Sequence, residues 1–310
     1  MARRIQLNIA LLSLLLQGLV SFQFQPSFRH VSLARRASSI DAPPTHPKIK
    51  EMVVEAAAQD FVPATVFDRS ATIAGIGAVM ACVAASDTIP TPIRITLASL
   101  IVFANFEYCF HRWVMHSPQD GAVGKGAFGP YQKLHQTHHT ETLDDMQLDD
   151  GEESDPRHIY FSATTTVASV LISTAVLVAL DSVFHLGFTD VPQATAAASA
   201  APPAAAALQG FLGGVQGVLP CAEASVAVAL LHTSLWQTLH GDIHEYYEEY
   251  DAGFPRVDAL SQDTPYTRWM VSNHVGHHVV NGKGNYNIVF PGPDYLWGTC
   301  FVPSNPRSKE

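Results

Sequence analysis

Four stretches of the chain are strongly apolar: Ser70 to Ile89, Ile93 to Cys109, Ile159 to Leu180 and Leu219 to Leu239, the last with a single acidic residue, Glu223. Each approaches the ~20 residues that a helix needs to cross the hydrocarbon core of a bilayer. Asp87 to Pro92 has room for a tight turn only, so the first two stretches predict a helical hairpin. Between the third and fourth, residues 191–210 hold 10 Ala and three Pro in 20 positions. That low-complexity stretch reads as a poorly ordered loop or, alternatively, as a frayed helical extension; neither carries chemistry. The pattern predicts an all-α, integral-membrane helical bundle of about four transmembrane helices.

Composition agrees. Of 310 residues 47% are apolar and 15% charged, the balance of a membrane protein. A net charge of −10 without clustered Lys and Arg excludes a nucleic-acid partner, because phosphate binding requires concentrated positive charge. Cys82, Cys109, Cys221 and Cys300 are widely spaced with no CxxC pair, so they read as buried thiols and supply neither disulfides nor a thiolate metal site.

The first 40 residues read as targeting sequence. Arg3 and Arg4 precede an apolar run, Ile9 to Val20, and Ser21 offers a small residue for cleavage, the layout of a signal peptide. From Phe22 to Ile40 three Arg and several Ser occur without an acidic residue, the composition of a transit peptide. The junction Val20-Ser21-Phe22-Gln23-Phe24-Gln25-Pro26 resembles the bipartite presequences of algae with complex plastids, which implies a plastid membrane, with the ER membrane as the alternative. Beyond this presequence, 41–69 form a linker and pre-membrane segment and 70–303 a single membrane-embedded unit.

Histidine is the unusual residue. Ten of 15 fall into four clusters: His111 and His116; His135, His138 and His139; His240 and His244; His274, His277 and His278. Counting crossings places every cluster on one face of the membrane. Arg94 is the sole basic residue after position 40 on a connection to the other face, so the positive-inside bias independently puts the clusters on the cytosolic or stromal side. On a helix, positions i, i+3 and i+4 fall within an arc of ~100°, so each HxxHH box should aim three imidazoles at one point. His111 and His116 would diverge by ~140° on an ideal helix, which predicts unwinding near Met115 and His116, before Ser117-Pro118. Ten imidazoles without a thiolate suit iron, copper, nickel or zinc, and they exceed what one ion uses, so a histidine-rich di-metal cap is predicted. Glu107, Glu141, Asp144, Asp242, Glu245 and Asp294 are available to accept the second ring N–H of the ligands. His158, His185 and His232 stand alone and read as core or interfacial residues.

These residues resemble the fatty acid hydroxylase superfamily of integral-membrane di-iron enzymes, which includes sterol desaturases, fatty acid 2-hydroxylases and carotenoid hydroxylases. The matching text is Phe106-Glu107-Tyr108-Cys109-Phe110-His111-Arg112-Trp113-Val114-Met115-His116, Leu134 to His139, His240-Gly241-Asp242-Ile243-His244, Asn273 to His278, then Asp294 and Gly298-Thr299. The resemblance spans about residues 70 to 300 and sits nearest the fatty acid or sterol branches. It implies two iron ions held by the ten histidines, with zinc as the substitute occupant, O2 as co-substrate, and hydroxylation or desaturation of a membrane lipid. It also implies a separate electron donor of ferredoxin or cytochrome b5 type. Two other readings stand beside it: a plastid carotenoid hydroxylase of the same superfamily, and a histidine-rich metal transporter, which would place its polar residues within the spans.

The acidic run Glu141 to Asp155, with eight carboxylates, reads as a solvated loop; an acidic donor protein would dock instead on Arg112, Lys133, Arg157 or Arg268. Thr264-Pro265 predicts an N-cap followed by Pro at the first position of the helix that carries the last box.

Overall fold

The computed structural model describes residues 47–85, 88–118, 120–126, 128–144, 146–147, 163–189, 203–244 and 263–306, with the backbone alone described at 47, 163–164, 203–215 and 305–306. The presequence expected over 1–40 lies outside these residues, as do His158, Arg157, Glu245 and most of the acidic run. In chain order the elements are α1 (Pro47–Ala57), β1 (Gln59–Pro63), α2 (Val66–Ala84), α3 (Thr91–Phe110) with a π-helical turn (His111–Met115), α4 (Gly129–Glu141), α5 (Ala163–Phe184), α6 (Pro203–Ile243), α7 (Pro265–Val279), α8 (Pro293–Trp297) and β2 (Phe301–Pro306). Among the described residues helix makes up 71% and strand 5%, so their fold is all-α apart from one antiparallel strand pair.

Among the described residues four helices are long and apolar enough to cross a membrane: α2, α3 with its π turn, α5, and the Gln216–Ile243 part of α6. They match the four apolar stretches. In α2 only 6% of the most apolar window is buried by the chain, so almost the whole cylinder presents apolar surface that water solvates poorly and lipid solvates well. The Ala/Pro-rich stretch, read as a loop or a helical extension, is helical from Pro203 onward, while 191–202 lie outside the described residues. Pro203 opens the helix, where a missing N–H is harmless and a fixed φ favours the first turn.

The chain divides into two compact units. The described part of the first runs over 74–106 and 164–231, with a core of Val83, Ile95, Ala98, Leu177, Val178, Phe188 and Cys221. Arg94 is buried there and neutralises backbone dipoles: Nε donates to the Val83 carbonyl at 2.8 Å, Nη2 donates to the Leu186 carbonyl, and the guanidinium lies 5.5 Å from the Phe188 ring centre. Asp181 holds the turn after α5 by accepting from the N–H groups of Phe188 and Thr189, each at 2.9 Å.

The second unit holds residues 47–73, 107–147 and 232–306 of the described chain. Its core joins Ile49, Met52, Val53 and Ala56 of α1 to Leu235, Trp236 and Leu239 of α6 and Met270, Val271 and Val275 of α7. The α1 positions recur at helical spacing, so one face of a helix from the predicted linker is buried. β1 and β2 pair antiparallel, with Val62 opposite Val302 and Pro63 opposite Phe301, and so tie the segment before the spans to residues after the last histidine box. α7 begins as Thr264-Pro265 predicts: the Thr264 hydroxyl accepts the Thr267 N–H at 3.1 Å, and Pro265 occupies the first turn.

Candidate metal centre

All ten clustered histidines belong to the second unit. The first pair is brought together by a different device from the one predicted. The helix does not unwind at Met115; it widens into a π turn in which the His116 N–H donates to the His111 carbonyl at 3.1 Å. An i→i+5 bond sets the sixth residue above the first, whereas an α-helix would splay them. The two rings consequently lie 5.1 Å apart between centres.

Nitrogens of nine of these histidines converge in two groups, each with its candidate ligand atoms within 4.8 Å of one another: His111, His116, His135, His139 and His277 in group one, and His138, His240, His244 and His274 in group two. The expectation that each HxxHH box aims at one point is therefore corrected, because both boxes are shared. On α4, His135 and His139 enter group one and His138 enters group two; on α7, His277 enters group one and His274 group two. The reason is angular: i and i+4 differ by ~40°, whereas i+3 falls ~100° from i+4, on the opposite flank. His278 lies beside both groups, 4.3 Å from His139 and 4.8 Å from His274 between ring centres.

The arrangement calls for cations. In group one, His135 Nε2 lies 2.9 Å from His111 Nε2, 2.9 Å from His116 Nε2 and 3.2 Å from His139 Nε2. His277 Nε2 lies 3.1 Å from His116 Nε2 and 2.9 Å from His139 Nε2. In group two, the Nε2 atoms of His244 and His274 are 2.9 Å apart. Nδ1 of His111, His244 and His277 donates to the carbonyls of Tyr286 (2.7 Å), Met146 (2.7 Å) and Gly284 (2.6 Å). A neutral ring that donates through Nδ1 carries a lone pair on Nε2, so His111 and His277 in group one and His244 in group two each aim a lone pair at the point where their group converges, as ligands of a cation do. Ligands ~2.1 Å from a shared ion and at right angles to one another lie ~3 Å apart, which matches these separations. Both ring nitrogens of His138 and Nε2 of His278 are buried without a hydrogen-bond partner, the state of an imidazole waiting for a metal. The residues thus fit metal ions.

For three of the rings the outer acceptor is a backbone carbonyl and not one of the carboxylates expected. All three Nδ1 bonds go to backbone carbonyls, and two of those carbonyls, Gly284 and Tyr286, lie on one loop after α7. Glu107 and Asp294 act one layer further out. The Glu107 carboxylate accepts from the N–H groups of Ile288 (2.6 Å), Val289 (2.8 Å) and Phe290 (3.3 Å), and Asp294 accepts from the Asn287 N–H at 2.6 Å and the Thr299 hydroxyl at 2.6 Å. Asn273 donates to the Asn287 carbonyl, and Asn285 donates to the carbonyls of Asn273 (3.2 Å) and Phe301 (3.1 Å). Sequence reasoning missed Met146, Gly282, Gly284 and Tyr286. For the last three a signal existed: Asn281-Gly282-Lys283-Gly284-Asn285 is rich in residues that tolerate positive φ, which Asn281, Gly282 and Asn285 adopt.

Burial also sets the protonation state. It pushes His135, His138, His139, His274, His277 and His278 well below the usual histidine range, with repulsion from neighbouring imidazoles adding to the effect. Burial pushes His116 and His244 down to about 4. The rings are therefore neutral near pH 7, the form that ligates metals. Of the isolated histidines, His232 is buried with Nε2 3.5 Å from Glu107, and His185 is exposed just after α5. The four cysteines are free thiols, two of them buried and two half-buried. Arg268, one of the expected docking residues, is paired with Asp263 on the surface. No family model, curated protein or solved structure matches the chain.

Proposed function

We propose that this chain is a membrane-embedded di-iron oxygenase, of the fatty acid hydroxylase type, that hydroxylates or desaturates a fatty acyl or sterol-like lipid with O2 and electrons from a separate donor. The observation that carries the reading is the pair of adjoining, buried all-imidazole groups in a chain that also has apolar helices long enough to span a bilayer. Two iron ions bound there would supply the O2 activation needed to oxidise an unactivated C–H bond.

The chain's own part is positioning and exclusion of water. Backbone carbonyls hold Nδ1–H and so aim the Nε2 lone pairs inward, as outer partners of ligating histidines do. Burial keeps the rings neutral and the site dry, which suits an apolar substrate and protects a strong oxidant from side reactions. Five imidazoles with several nitrogens ~3 Å apart fit a coordination number above the four usual for zinc, which favours iron. The proposed setting is a plastid membrane, on the strength of residues 1–40.

The test is expression of the full chain with a ferredoxin or cytochrome b5 donor, beside His138→Ala, followed by mass spectrometry of lipid and pigment extracts. The expected product has gained one oxygen atom or lost two hydrogens, requires O2, and is absent with the variant. A carotenoid product would move the substrate to the pigment branch. A reduced chain with two bound irons that takes up no O2 overturns the proposal.

A further inference from the structure

We propose that the second unit is seated in the headgroup layer of the bilayer through a continuous apolar and cationic surface formed by the start of α2, the end of the π turn and the short helix α8. This rests on the membrane spans and not on the oxygenase reading.

The surface is built from segments far apart in sequence. Val66 and Phe67, in the first turn of the α2 span, are 80% and 86% exposed. Leu296 and Trp297 of α8 are 45% and 60% exposed, and Trp113, near the end of the α3 span, is 57% exposed. Large apolar side chains clustered on a surface are costly in water unless a partner covers them. Arg69 joins the first two segments: Nε donates to the Tyr295 carbonyl at 2.5 Å and Nη2 to the Leu296 carbonyl at 3.0 Å. Gly298 makes room for that guanidinium, since a Cβ there would stand 3.2 Å from Arg69 Nη1. The third segment connects through Thr299, whose hydroxyl lies 3.3 Å from the Tyr108 hydroxyl. Tyr108 packs edge-on to Trp113 at 6.1 Å and accepts a hydrogen bond from Arg112.

The occupant follows from continuity with the spans. Phe67 begins one candidate span and Trp113 lies two residues from the end of another, so both sit where a spanning helix leaves the hydrocarbon. Trp at such positions places an amphipathic ring at headgroup level, and Arg there extends its charge toward phosphate. Arg112 lies 5.6, 5.9 and 5.7 Å from the ring centres of Tyr108, Trp113 and Tyr286, and among the described residues no carboxylate pairs with Arg69 or Arg112. The Tyr286 ring in turn packs edge-on against His111, His116 and His277. A lipid headgroup on this surface would therefore stand one aromatic ring away from group one.

The experiment uses the full chain in phosphatidylcholine nanodiscs, with Trp297→Phe and Trp113→Phe made singly and bound metal per chain as the check on folding. The emission lost in each variant identifies that tryptophan's contribution; Trp236 is buried and Trp269 half-buried. Each contribution should be quenched at least twofold by lipids brominated near the ester and far less by bromine at the chain end or by aqueous iodide. Quenching by iodide alone would place the surface in water, and quenching by neither would mean that protein covers it; either result overturns the proposal.

Discussion

His138 and His139 are adjacent in the chain and serve different groups: the His138 ring centre lies 4.5 Å from that of His244, while His139 Nε2 lies 2.9 Å from His277 Nε2. Replacing one should therefore weaken one metal position and spare the other. His138→Ala and His139→Ala are each expected to retain about one metal ion per chain where the parent holds two, as measured by elemental analysis of purified protein. Loss of both ions from both variants would show that the groups fill only together.

Gly282 packs directly on the His116 ring. Its φ is +66°, and a Cβ built on it would collide with the imidazole, with Nδ1 at 2.7 Å. Gly282→Ala combines left-handed strain, on the order of 1 to 2 kcal/mol, with displacement of a group-one nitrogen. The expected outcome is loss of metal from group one, with group two still loaded, read by metal content and by the spectrum of the cobalt-substituted protein.

Glu107 lies four residues before His111 and receives three backbone N–H groups from the loop that carries the Tyr286 and Gly284 carbonyls. Glu107→Gln removes the charge and sets an amide NH2 against a donor. Hydrogen bonds to a charged group are worth about 1.5 to 3 kcal/mol, so denaturant unfolding in detergent should show a loss of that order, together with weaker metal binding.

Asp294 gives a pH signature. Burial raises its carboxyl to about 6, against the lowering effect of its Thr299 and Asn287 bonds, from an ordinary value of 3.8. Between those two values the folded chain binds more protons than the unfolded one, so through this group stability rises as pH falls below 6 and is lowest above it. Compared with Asp294→Asn, the parent should gain on the order of 1 kcal/mol on acidification from near pH 7 to near pH 5. The histidines common to both proteins cancel in the difference, and parallel curves would rule out this role.

Chelation should destabilise the second unit. An ion shared by the Nε2 atoms of His111, His135, His116 and His277, which crowd to about 3 Å, binds the folded unit and not the unfolded chain. An excess of chelator is expected to lower the thermal midpoint, and added Fe(II) to restore it in a concentration-dependent way.

The spans and the clusters were legible because each is a local property. A helix that crosses lipid needs ~20 apolar residues in a row, and Thr264-Pro265 caps α7 through atoms three residues apart. The widened turn between His111 and His116 was half legible: the five-residue spacing declared that an ideal helix fails, but a π turn and an unwound end satisfy the same spacing. The pairing of β1 with β2 and the burial of one face of α1 were hidden, since both elements are short and neither has a partner nearby in sequence.

By itself the sequence determined that the chain carries four apolar helices and ten clustered imidazoles, because composition and helical period act over a few residues. Which imidazole joins which group, that the rings are held by the carbonyls of Met146, Gly284 and Tyr286, and that Glu107 secures the loop bearing two of them, only the tertiary structure decided. Those contacts join atoms up to 183 positions apart in the chain, and backbone carbonyls, present at every residue, leave no mark in the sequence that would distinguish one from another.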